Sequence, residues 1–79
     1  MILIWKIDMA HPVQIFLNNL LDSGQKKRSV SGLNYFDYYG ERFVHVERKM
    51  GFADTVIPIN DGDTYEDIRQ RIESHPAYY

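Results

Sequence analysis

Cysteine is absent from the 79-residue chain, which excludes a disulfide framework and thiolate chemistry and leaves stability to packing. An excess of either charge is also lacking, with nine Lys/Arg against eleven Asp/Glu. The net charge of −2 argues against a domain built mainly to neutralise phosphates. No hydrophobic run is long enough to span a membrane. The opening Met1-Ile2-Leu3-Ile4-Trp5 has no basic flank, and Lys6 and Asp8 interrupt it, so neither a signal peptide nor an anchor is expected. A cytoplasmic setting follows from these readings. Gly32, Gly40, Gly51 and Gly62 stand alone, without the spacing of a phosphate-cradling loop.

At 44% hydrophobic and 25% charged residues the composition is globular, and residues 1–79 read as a single domain near the lower size limit for a lone core. Charge is uneven along the chain. Residues 1–53 carry seven Lys/Arg against five Asp/Glu, and residues 54–79 carry two against six. Gln25-Lys26-Lys27-Arg28 is the only basic run, too small for a nucleic-acid footprint and readable as a solvated loop after a helix.

The pattern predicts six elements. Residues 2–9 alternate as a strand, with Leu3, Trp5, Ile7 and Met9 on one face. Pro12 suits a first helical turn, and Val13, Phe16, Leu17, Leu20 and Leu21 form an apolar stripe ending near Gly24. A three-stranded meander follows. A turn at Gly40-Glu41 would set Tyr39 opposite Arg42, Asp37 opposite Val44 and Tyr35 opposite Val46. A turn at Gly51-Phe52 would set Ile57 opposite Val46 and Ile59 opposite Val44. Both registers gather Leu33, Tyr35, Val44, Val46, Ile57 and Ile59 on one face, where Asp37 alone fits badly. A last helix begins near Thr64, with Asp63 and Glu66 spaced as a capping box, Asp67 and Arg71 as an i, i+4 pair, and Tyr65, Ile68 and Ile72 as its stripe. Pro76 ends it, leaving Ala77-Tyr78-Tyr79 as a tail. The expected fold is α+β in the order β-α-β-β-β-α, a four-stranded, mostly antiparallel sheet with two helices on one face. The first helix would serve as the crossover that makes the first strand parallel to the second and fourth and adjacent to one of them.

What the chain has in excess is aromatic residues over 33–43, which hold five of its eleven. A single sheet needs one apolar face, yet Phe36, Tyr38 and Phe43 fall opposite the core face, among Asn34, His45, Glu47, Lys49, Val56 and Pro58. Such a mixture is enriched at interfaces. Three readings compete: a bend or the tail buries these rings, the face binds a protein or a second copy, or bases stack on it. Lys49 is the only cation on the face, which weighs against the last.

No catalytic or metal-binding spacing is present. His11, His45 and His75 are scattered, and Asn60-Asp61-Gly62-Asp63 lacks the ligand spacing of a calcium loop. His11 reads as part of a helix entry, His75 as a helix end, and His45 as a hydrogen-bonded surface residue. No cofactor or metal is expected.

Over residues 13–73 the layout resembles two families, double-stranded-RNA-binding domains and toxins of the HicA type. Gly32-Leu33-Asn34 stands where those toxins carry Gly-Ser/Thr-His, and Val56-Ile57-Pro58-Ile59 resembles their following strand. The histidine is missing, and Asp61 to Glu73 is acidic where the RNA-binding family is lysine-rich. The likeness is topological, and the runner-up expectation it carries is an RNA-binding or toxin-type module. The leading expectation is a non-enzymatic protein-binding domain, a small inhibitor or adaptor on a larger machine. Phage-type inhibitors such as anti-CRISPR proteins share its size class. The partner-binding residues expected are Phe36, Tyr38, Phe43, His45, Glu47, Asp61, Asp63, Tyr78 and Tyr79, with a basic partner surface or a homodimer as the counterpart.

Overall fold

The computed structural model describes residues 11–23 and 27–79. Over these the order is α1 (Pro12–Ser23), β1 (Val30–Tyr38), β2 (Glu41–Arg48), β3 (Thr55–Ile59) and α2 (Tyr65–Glu73). The fold is α+β, with two helices and a three-stranded antiparallel sheet in the order β1-β2-β3. The expected strand at residues 2–9, its pairing and the Gly24 cap lie outside the described residues.

Helix α1 starts where proline's missing N–H is harmless, and His11 caps it. The Val13 N–H donates to His11 Nδ1 at 3.1 Å, and the Ile15 N–H donates to the His11 carbonyl at 3.1 Å. The imidazole also stacks on Tyr35 with centroids 4.2 Å apart, which ties the helix start to β1. Val13, Leu17 and Leu20 are buried, and Phe16 and Leu21 pack beside them, as the stripe predicts.

Both sheet registers differ from expectation by two residues. Tyr35 faces Val44 and Leu33 faces Val46 across β1 and β2, and Ile57 faces Val44 across β2 and β3. The first turn is Tyr39-Gly40 rather than Gly40-Glu41. Tyr39 has φ 52° and Gly40 φ 82°, the left-handed pair of a type I′ hairpin, whose twist matches that of the strands. Asp37 thereby moves opposite Arg42 beside the turn, where its carboxylate accepts the Gly40 N–H at 3.2 Å. Because side chains alternate with period two, a two-residue slip leaves each residue that stays in a strand on its predicted face, while Tyr39 moves into the turn. Leu33, Val44, Val46, Ile57 and Ile59 are buried with Ile68 and Ile72 of α2, and Tyr35 packs against them.

The cap of α2 lies one residue later than Asp63. Thr64 Oγ1 accepts the Asp67 N–H at 3.1 Å, and Asp67 accepts the Thr64 N–H at 3.0 Å, a complete capping box. Asp67 is therefore committed to the cap, and Arg71 pairs with Asp63 instead, 2.6 Å away. The tail is not a loose appendage. Tyr78 is 5% exposed within the core, and buried Ser29 donates its N–H to the Tyr79 carbonyl at 2.9 Å.

Candidate protein-binding face

Alternation along β1 and β2 places Asn34, Phe36 and Tyr38 beside Glu41, Phe43, His45 and Glu47 on the face away from the core, with Val56 and Pro58 from β3. Phe36 and Phe43 sit directly opposite each other, and their rings stack with centroids 5.1 Å apart. Stacking leaves Phe36 37% and Tyr38 62% exposed, and Val56 beside them is 49% exposed. Phe43 is half-buried, in the middle of the strip. The reading in which a bend or the tail covers these rings is not what the described residues show, since the tail docks on Ser29 and the face stays open.

Sequence reasoning missed Tyr39. It is 90% exposed at the hairpin tip and meets Tyr38 edge-on at 4.5 Å, extending the strip to the turn. A left-handed tyrosine costs energy that asparagine or glycine would not. The misfit of Asp37 was the signal that could have moved the turn and found it.

His45 lies half-buried on the face with Nε2 3.0 Å from Asp54 Oδ2, while Asp54 Oδ1 accepts the Arg48 N–H at 2.8 Å. The Arg48 N–H first, and His45 second, hold the Asp54 carboxyl below its ordinary range. This clips the 49–54 loop against β2, so His45 fastens the face. Glu47 reaches over Gly32, where a Cβ would come within 2.9 Å of its Oε1.

The other expected site residues disperse. Asp61 is exposed beside the face and pairs with Arg42 at 3.1 Å. Together they line a groove of about 250 Å³ between Gly40–Phe43 and Pro58–Asp61. Asp63 is half-buried and structural, accepting from Arg71 and from the Asn60 N–H at 2.7 Å, and the Arg71 guanidinium holds its carboxyl below the ordinary range. Tyr78 is enclosed in the core and offers a partner nothing. Tyr79 lies at the other end of β2, edge-on to Phe52 at 5.9 Å, with the Arg48 guanidinium over both rings.

Among the described residues no cluster of three or more His, Asp or Glu is arranged to hold a metal, and no helix is long and apolar enough to cross a membrane. Comparison with protein-family models, curated proteins and solved structures finds no match. Among the described residues the chain is an α+β arrangement of two helices and a three-stranded antiparallel sheet, with exposed aromatic residues on the sheet face away from the core.

Proposed function

We propose that the chain is a non-enzymatic protein-binding domain that docks the open face of its sheet on a larger protein, as small inhibitors and adaptors do. The observation that carries this reading is the contiguous strip of Tyr39, Tyr38, Phe36 and Phe43 on a face the helices do not cover. Exposed aromatics that stack on one another without entering the core contribute little to folding, and they are the side chains that dominate interface energies. The left-handed Tyr39 favours the same reading, because local strain persists where a side chain is needed for something other than the fold.

The test compares the intact chain with Phe36→Ser, Tyr38→Ser and Phe43→Ser for stability and for capture of proteins from a lysate of the native host. The expected result is a captured protein that is lost in each variant while unfolding free energies fall by no more than about 1 kcal/mol. A loss of several kcal/mol in each variant would put the rings in the core, and capture indifferent to all three would remove the face.

A further inference from the structure

The carboxylates of this fold are not equally occupied. Asp54, Asp61, Asp63, Glu66 and Glu73 each lie within ion-pair distance of His45, Arg42, Arg71 or Arg69. Asp67 is held in the α2 cap. Asp37 accepts the Gly40 N–H, and Asp22 on α1 forms no ion pair among the described residues; on the open face Glu41 and Glu47 are exposed and likewise form none among them. They stand at the two ends of β2, six residues apart, which is about 20 Å along a strand. Phe43 and His45 lie between them, and Phe36 and Tyr38 lie alongside.

The two ends differ in shape. Glu41 lines the groove of about 250 Å³ whose walls include Phe43, Pro58 and Ile59. Arg42 in that groove is already paired with Asp61, so Glu41 is its uncompensated charge. A long basic side chain fits such a place, with its stem on the rings and its cationic head at the carboxylate. Glu47 reaches over Gly32 at the other end, and the adjacent Arg48 turns its guanidinium to the Ala53 carbonyl and the Phe52 and Tyr79 rings rather than to Glu47.

Resting on the protein-binding reading, we infer that the partner is a protein surface with an apolar centre flanked by two basic side chains about 20 Å apart, one seated in the Glu41 groove and the other meeting Glu47. A second copy of the chain would bring like carboxylates toward one another, and a nucleic-acid backbone would meet them directly. Both occupants are disfavoured by the same charges.

The experiment selects a displayed library of random peptides on the intact chain and maps the winners by amide chemical-shift changes. The expected winners carry Lys or Arg on both sides of an apolar segment, shift the β1 and β2 amides, and are lost in Phe43→Ser. They should bind Glu41→Gln/Glu47→Gln about tenfold more weakly at low salt, a gap that narrows as salt rises. Winners without basic residues, or indifferent to the double glutamine variant, overturn the charge inference while their loss in Phe43→Ser leaves the aromatic face standing. A selection that yields nothing dependent on Phe43 overturns both. A dimer in light scattering that Phe43→Ser dissolves, or a single-stranded oligonucleotide that binds the face, overturns the basic-protein assignment.

Discussion

Gln14 accepts the Tyr35 N–H at its Oε1, 2.6 Å away, and the same amide donates from Nε2 to the Leu33 carbonyl at 2.8 Å. Those two groups point outward from β1, away from β2. One residue of a parallel neighbouring strand would engage the same pair. A side chain of α1 thus stands in for a strand residue on that part of the β1 edge, which pairs with no other strand among the described residues. The opposite edge is guarded differently: Pro58 in β3 has no N–H, and its carbonyl accepts Arg71 Nη1 at 3.3 Å. Gln14→Leu is expected to cost about 1–3 kcal/mol in denaturant unfolding, because a donor and an acceptor lose their partner in a half-buried place. It should also raise thioflavin-positive aggregation. Unchanged stability and unchanged aggregation together would show that the bridge closes nothing.

Tyr39 occupies the first of two left-handed positions in the hairpin turn. Its ring touches Tyr38 and little else, so removing it sacrifices no core contact. Tyr39→Asn should therefore stabilise the fold by about 0.5–1 kcal/mol, since asparagine tolerates that conformation. If the ring belongs to the binding strip, the same variant should lose partner affinity. A variant that gains stability with no loss of binding would make Tyr39 a simple turn residue.

The Tyr78 hydroxyl is buried without a hydrogen-bond partner among the described residues, while Lys27 Nζ lies 4.5 Å from the ring centroid. Burial raises the phenol above its ordinary value of 10.0, the neighbouring charge of Glu73 adding to it. Tyr78→Phe keeps the packed ring and removes an unsatisfied polar atom, so it should be neutral or stabilising by about 1 kcal/mol. Tyr78→Ala should cost several kcal/mol by opening a cavity, as for any large core aromatic. The raised phenol has a further consequence at high pH. Its contribution to stability is complete below 10.0 and is lost as pH rises toward the folded value, a loss Tyr78→Phe should abolish.

Much of this was readable from the residues, and the failures are informative. The buried and open faces were legible because alternation survives a two-residue slip, although neither register was right. The turn was misplaced because a tyrosine before Gly40 is a poor candidate for a left-handed position, whereas glycine in the first central position fits a type II′ turn. The α2 cap moved by one residue because Arg71, eight positions from Asp63, claims that carboxylate, a tertiary contact no local window contains. Gln14 carried no signal at all. A glutamine between Val13 and Ile15 reads as an ordinary polar position until the helix lies beside β1.

Acid should act on the two ends of β3. Asp54 precedes the strand and fastens the 49–54 loop through the Arg48 N–H and His45. Asp63 follows it and joins α2 to the turn through Arg71 and the Asn60 N–H. Both carboxyls lie below the ordinary value of 3.8, for the hydrogen-bonding reasons already given. A carboxyl depressed in the folded state binds protons more weakly there than in the unfolded chain. Its stabilisation is therefore complete above 3.8 and is lost as pH falls from that value through the folded one. Denaturant unfolding from about pH 6 to about pH 2 should show stability falling chiefly below that point. Asp54→Asn/Asp63→Asn should start lower and slope less. Some slope should persist, because Arg69 holds Glu66 below its ordinary 4.5 in the same way. A double variant as acid-sensitive as the parent would assign the loss to other carboxylates and leave the fastenings at β3 without thermodynamic weight.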